Sequence, residues 1–294
     1  MSLDSAVSAD GVTWTHVACP LCGADRPHLV VEDPVRRSGR TYVFRVVRCA
    51  ACGFVYVTPR GTGAAFENLA GGAARRDAAV ANEPIYRTGL RALGRAGLPP
   101  GGRILDLGCA RGDFLAYATE RGYRVQGVDL NPRLAEEARG RGFDVVTGDL
   151  RELALPPADA VTMWDVIEHV DDPVAVLAAC RGALRPGGLL FFHTGDADFQ
   201  IPKARLLSRL RPTGGPYLIP YQHVSHFDPR TARAALTAAG LEPVDVFFAG
   251  TLRYREAWKR AAMGLVNLAG RLPPLVGGRL RTNAMGAIGR RPAG

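Results

Sequence analysis

Apolar positions along the chain fall into short blocks whose period shifts between two and about three and a half residues. Near the N-terminus, TYVFRVVR (41–48) and FVYV (54–57) are β-branched and aromatic, which predicts two strands. A helix is expected from Pro84 to about Gly97, stopped by Gly97 and the Pro99-Pro100 pair. Strand and helix then alternate: strand 103–107, helix 113–121, strand 124–128 ending at Asp129, helix 132–140 and strand 143–147. Strand 159–164, helix 173–184 and strand 188–193 continue the run, and a helix follows at 229–239. Strands mostly separated by one helix imply right-handed crossovers and a doubly wound parallel α/β sheet. Farther on, Tyr254, Ala257, Trp258, Ala261, Leu265, Leu268 and Leu272 recur mostly every three to four residues and predict an amphipathic helix over 253–272.

Composition narrows the class. With 294 residues, 47% hydrophobic and 22% charged, the chain suits a soluble globular protein with a sizeable core. No apolar run reaches the roughly 18–20 residues of a membrane span, and MSLDSAVSADG lacks the basic start and apolar stretch of a signal peptide. A cytoplasmic location is expected. The net charge of +9 is unevenly spread: residues 1–198 carry −2, residues 199–250 carry +3, and residues 251–294 carry +8. The excess is a C-terminal property. It suits an anionic partner such as phosphate, an acidic sugar or the inner face of the membrane, where the enriched Arg and Trp258 would make a peripheral contact.

Four of the six cysteines form two pairs, Cys19-x2-Cys22 and Cys49-x2-Cys52, in the turns CPLCG and CAACG. Gly23 and Gly53 can adopt the positive φ that lets backbone N–H groups face the sulfurs. Four thiolates in this spacing suit one tetrahedral Zn²⁺, and a filled ligand set leaves no position for a catalytic water, so the metal is structural. With the two strands beside it, the segment resembles a zinc ribbon. Cys109 and Cys180 are expected to be small buried residues.

Ligand chemistry in such a sheet belongs at the carboxyl ends of the strands. The strand RILDL runs into Gly108-Cys-Ala-Arg-Gly112, a turn that lets a ligand approach the backbone. Asp129 ends the next strand, 21 positions after Gly108, where an acid can accept from both hydroxyls of a ribose. The turn is GCARG and not GxGxxG, and no GxxxxGK[ST] occurs, which disfavours a dinucleotide dehydrogenase and excludes a P-loop.

The blocks ILDLGCARGDF, GVDLNP, GDL, MWDVIEHVDDP and LRPGGLLFF occur in order. Together they resemble the successive motifs of class I S-adenosylmethionine-dependent methyltransferases over about residues 100–250. The subgroup most similar includes ubiquinone-pathway O-methyltransferases and small-molecule or sugar methyltransferases. The resemblance implies a Rossmann-like seven-stranded methyltransferase sheet, with 283–291 as its antiparallel seventh strand. It implies that Asp106, Gly108, Ala110 and Gly112 hold the methionine part of S-adenosylmethionine, that Asp129 binds the ribose, and that Asp149 with Leu150 meets the adenine. Asp165 would lie near the methionine amino group. Ala110 departs from the family, which usually has Gly there.

On the acceptor side, Asp165-x-x-Glu168-His169 resembles a cluster that in some relatives binds a divalent ion with a later histidine, here His223 or His226. This gives a candidate Mg²⁺ site at Asp165, Glu168 and His169. His226, His223 and His169 are also the candidate bases for a hydroxyl or acidic-carbon nucleophile. His193, Asp196 and Asp198 are expected at the mouth of the site, and Tyr217 and Tyr221 either line an acceptor pocket or anchor their loop. The expected organisation is a zinc-ribbon module at 1–60, a helical linker or lid at 61–98, and a methyltransferase domain at 99–294. The last has a lid insert at about 199–228 and the basic helix at about 253–272. The leading function is O-methylation of a small molecule (a sugar, biosynthetic intermediate or glycolipid). The alternatives are an RNA methyltransferase docking through the ribbon and basic C-terminus, and a non-catalytic cofactor-binding scaffold. The ribbon has few aromatics for base stacking, which counts against nucleic acid.

Overall fold

The structure, a computed structural model, describes residues 6–7, 12–37, 39–62, 82–210, 215–249 and 283–293. The amphipathic helix expected at 253–272 lies outside the described residues. Six strands come first: β1 (Ala6–Val7), β2 (Thr13–Thr15), β3 (Pro27–Arg37), β4 (Arg40–Cys49), β5 (Val55–Val57) and β6 (Arg60–Thr62). Then follow α1 (Glu83–Arg95), β7 (Arg103–Leu107), α2 (Asp113–Thr119), β8 (Arg124–Asp129), α3 (Pro132–Gly140) and β9 (Val145–Thr147). The chain continues through β10 (Ala158–Trp164), a helical turn (Ile167–His169), α4 (Pro173–Ala183), β11 (Leu184–Gly195) and α5 (Ala197–Leu210). The last elements are β12 (Ser225–His226), α6 (Pro229–Ala238), β13 (Glu242–Ala249) and β14 (Ala284–Arg290).

Seven strands form the main sheet in the order β13-β14-β11-β10-β7-β8-β9. Strands β9, β8, β7, β10 and β11 are mutually parallel, and β14 runs antiparallel to both β11 and β13. The expected seventh strand is therefore present, and it sits inside the sheet with β13 outside it.

Alternating residues along the central strands face opposite layers, so each strand serves two cores. Ile104 and Phe191 pack with Leu90 and Leu93 of α1 and Phe114 of α2. Their neighbours Leu105 and Leu190 pack with Leu177 of α4 and Leu236 of α6. Cys109 and Cys180 are buried, as expected. Local signals fix the helix starts: Asn131 accepts from the Arg133 and Leu134 amides, Asp172 from that of Ala175, and Asp228 forms a capping box with Thr231.

Two features differ from the sequence reading. The insert expected after residue 199 begins with a 14-residue helix, α5, which accommodates Pro202. The ribbon is also not closed within residues 1–60. Its four-stranded sheet runs β12-β5-β4-β3, so a strand from beyond residue 220 supplies one edge. Ser225 pairs with Tyr56 and His226 with Val55. Fully buried Phe54 meets fully buried Phe227 edge to face, with ring centroids 5.0 Å apart. Cys19, Cys49, Phe54 and Tyr56 thus join the same apolar cluster as α4 and α6.

Candidate functional site

The turn after β7 is built by its own backbone. The Gly108 and Cys109 amides both donate to the Val128 carbonyl, at 2.7 and 3.2 Å, which clamps the turn to the end of β8. Gly108 has φ +74°, and a Cβ there would stand 2.5 Å from Val166 Cγ2, so glycine is required. Ala110 takes a left-handed φ of 47°. Its amide donates to Asp129 Oδ2 at 2.8 Å, while Asn131 donates to Asp129 Oδ1 at 2.8 Å. Asp129 is thereby oriented at the carboxyl end of β8, with lone pairs left over for further donors.

Asp106 lies one strand inward and is buried. Thr162 Oγ1 donates to it at 2.7 Å. Burial pushes its carboxyl up to about 8, against the Thr162 bond and with the Asp129 charge adding to the rise, so it is largely protonated at neutral pH. Asp149 behaves in the opposite way. Arg151 donates to it through both its amide and its guanidinium and holds it below the ordinary carboxylate range. Leu150 beside it is buried.

At the carboxyl ends of β10 and β11 a second cluster forms. Asp165 adopts φ 54°, and its amide donates to the His193 carbonyl at 3.1 Å. Its Oδ1 lies 2.7 Å from His193 Nδ1. Burial pushes Asp165 up, yet its bond to His193, with His223 and His169 nearby, prevails and holds it below the ordinary carboxylate range. One residue on, Thr194 Oγ1 donates to the buried carboxylate of Glu168 at 2.9 Å. Adjacent residues of β11 therefore orient the first and second acids of the D-x-x-E-H block.

Of the three histidines singled out from the sequence, two meet. His169 and His223 stack edge to face with centroids 4.8 Å apart, and with Glu168 they present ligand atoms all within 4.8 Å of one another. Neither Asp165 nor His226 belongs to that set. His226 is buried in β12, its ring pushed down to about 4 by burial, and its Nε2 has no hydrogen-bond partner among the described residues. His193 and Asp196 are buried rather than placed at an open mouth. Asp196 opens α5 by accepting from the Asp198 amide. Tyr221 is buried near Phe44 with the ribbon's apolar cluster, and Tyr217 packs beside it, so both anchor their loop. Thr162, Thr194 and Arg151 were not anticipated; each is an ordinary strand or loop residue until its acidic partner is placed.

In the ribbon, Cys19 and Cys52 Sγ are 3.5 Å apart and Cys22 and Cys49 Sγ 3.7 Å. All four sulfurs lie within 4.8 Å of one another. These separations exceed the disulfide length of about 2.05 Å and are close to the ~3.8 Å edge of a tetrahedron with ~2.3 Å metal–sulfur bonds. Gly23 and Gly53 have φ of 73° and 79°. The Leu21 and Cys22 amides face the Cys19 sulfur, and those of Ala51 and Cys52 face that of Cys49.

A family model described as a methyltransferase domain matches residues 76–246, more than half of the chain. The chain is similar to the ubiquinone biosynthesis O-methyltransferase of Xanthomonas axonopodis pv. citri, 33% identical over 178 residues, covering 56% of this chain and 71% of the relative. It is 34% identical over 162 residues to the Bordetella bronchiseptica protein of the same name, covering 50% of this chain and 65% of that one. Among solved structures, it resembles a chain of the complex between the Haloferax volcanii Trm112 methyltransferase activator and a methyltransferase. There the TM-score is 0.54 at 18% identity, over 77% of this chain and 97% of that chain. Magnesium protoporphyrin IX methyltransferase from Synechocystis PCC 6803 with bound SAH gives a TM-score of 0.50 at 15% identity, over 71% of this chain and 83% of that chain. At these identities the two structures establish the fold alone. The motif order, the strand order and the family match agree: the chain belongs to the methyltransferase-domain family and is an S-adenosylmethionine-dependent methyltransferase.

Proposed function

We propose that the protein transfers the methyl group of S-adenosylmethionine to a hydroxyl of a small molecule. The observation that carries this reading is the convergence of Glu168, His169 and His223 beside Asp165, at the strand ends next to the glycine turn. In this reading Asp129 accepts from the ribose hydroxyls, and Asp149 and Leu150 flank the adenine. Asp106, Gly108, Ala110 and Gly112 line the methionine end, and Asp165 faces the amino group. Holding the acceptor oxygen in line with the sulfonium methyl supplies much of the rate.

The remaining requirement is a base. The Gln222 carbonyl lies 3.0 Å from His169 Nδ1, and because a carbonyl only accepts, Nδ1 carries the proton and Nε2 is the basic position. A neutral imidazole here takes the acceptor's hydroxyl proton. The oxygen lone pair forms the new O–CH3 bond as the C–S electrons return to sulfur. The same Glu168, His169 and His223 fit a divalent cation, which when bound would acidify the acceptor hydroxyl. The four thiolates with their facing amides fit a structural Zn²⁺. That the relatives are named for ubiquinone biosynthesis O-methylation supports a hydroxyl acceptor.

The basic C-terminal residues keep an anionic or lipid-linked acceptor in view. RNA has less support, since in the ribbon Arg45 pairs with Glu32 and Arg48 donates to the Gly53 carbonyl. His169→Ala and His223→Ala should lower turnover with a low-molecular-mass cell fraction by about a hundredfold or more, while S-adenosylhomocysteine binds as in the wild type. Full turnover in both variants would contradict the assignment.

A further inference from the structure

One buried acid lies outside everything described so far. Asp33, on β3 of the ribbon, is fully buried. Among the described residues no cation pairs with it, and its partners are backbone amides far along the chain. The Tyr217 amide donates to Oδ1 at 2.8 Å and Oδ2 at 2.9 Å, and the Leu218 amide to Oδ2 at 2.7 Å. A carboxylate buried without a counter-charge is costly, and hydrogen bonds to its oxygens are what make it tolerable. The approach is close as well: a Cβ on Gly215 would stand 2.3 Å from the Pro34 carbonyl oxygen.

The clamped segment leads directly to the acceptor-side histidines. Ile219, one residue past the clasp, has φ 56°, a conformation that β-branched residues avoid. In that conformation its carbonyl accepts from both the Gln222 and the His223 amides at 2.9 Å. The turn so formed presents the Gln222 carbonyl to His169 Nδ1 and sets His223 against the His169 ring. Immediately after it, the Val224 amide donates to the Glu168 carbonyl and the Val224 carbonyl accepts from Val57. The ribbon therefore grips this loop at both ends, through Asp33 before the strained residue and through β5 after it.

We propose that Asp33 is a positioning residue: the ribbon's carboxylate clamps the loop at 215–224 and so sets His223 beside His169 and Glu168. The significance of this placement rests on the reading of those three residues as the acceptor end of the site. The ribbon is then a wall of that site rather than an appended module, and its folding is required before the site is complete.

Labelling by diethylpyrocarbonate, read by mass spectrometry with exposed His28 as the internal standard, reports the placement of His223 without any acceptor. Asp33→Ala should speed His223 labelling on the order of tenfold relative to His28, as expected for loss of hydrogen bonds to a charged group. Asp33→Asn, which keeps one carbonyl acceptor, should fall between. Gly215→Ala keeps the carboxylate but blocks the approach, and it should reproduce the Asp33→Ala result. Zinc content and S-adenosylhomocysteine affinity by calorimetry should remain at the wild-type level in all three. Unchanged His223 labelling in Asp33→Ala and Gly215→Ala would overturn the proposal. So would a loss of cofactor affinity in step with the labelling, which marks general loosening. Failure of the wild type to bind S-adenosylhomocysteine would instead count against the functional reading, and the labelling would still decide the role of Asp33.

Discussion

Single acids in this protein are defined by what surrounds them. Asp106, Asp129, Asp149 and Asp165 are the same side chain in four settings, and only two of those settings were legible beforehand. Asp129 was, because the spacing from Gly108 places it at a strand end, and its two amide partners follow from the turn. Asp165 was legible as part of a motif, but its bond to His193 was not, because nothing local links residues 28 positions apart. Asp106 gave no sign of its raised pKa, since that follows from burial, with the nearby Asp129 charge adding to it, and both are set by the tertiary fold. For Asp129, removal should cost the ribose contacts and leave the Ala110 and Asn131 amides without their acceptor. Asp129→Ala should weaken S-adenosylhomocysteine binding by about 2 kcal/mol, roughly thirtyfold, in calorimetry. Unchanged affinity would show that the ribose lies elsewhere.

Elements with a strong local signal were readable, and elements made by distant pairing were not. The helices with Asn or Asp caps and a following Pro appeared where expected. So did the parallel strands around the glycine turn, because their apolar runs are bounded by turn residues. Strand β12 is only two residues long, and β13 is interrupted by an irregularity between Pro243 and Asp245. β12 is too short to carry a periodicity and exists because β5 supplies its hydrogen bonds. β12 also carries a testable electrostatic consequence. His226 is buried, with its folded-state pKa depressed from 6.5 to about 4. The unfolded chain therefore binds the extra proton between those two values. Stability from this group is present above about pH 6.5 and is lost as pH falls toward 4. Chemical denaturation at pH 7 and pH 4 should show the wild type losing about 3 kcal/mol more than His226→Gln over that interval. Equal losses in the two proteins would mean that His226 is solvated.

At the scale of the molecule, the module and the core are one structure. The cysteine pairs announced the ribbon, and the glycine turn announced the methyltransferase sheet, each from residues close in sequence. Their union was hidden because it is made by Phe54 with Phe227, Asp33 with Tyr217 and Leu218, and β5 with β12, all far apart along the chain. The union also changes the meaning of the charge. The ribbon and sheet are close to neutral, whereas the excess lies in the insert and the C-terminal residues. Part of that excess holds the fold: Arg290 donates to the Gly187 and Ala96 carbonyls, and Arg291 to those of Arg181 and Leu184. The proposed hydroxyl acceptor would meet a histidine pair and a buried glutamate at the strand ends. The most direct test is transfer from S-adenosylmethionine labelled with 13C in its methyl group, using fractionated cell extract and reading the product's methyl carbon by NMR. An O-methyl signal is expected in the low-molecular-mass fraction, without the steep salt dependence of a nucleic-acid acceptor. Label in RNA, with transfer falling steeply as salt rises, or an N- or C-methyl product would contradict it.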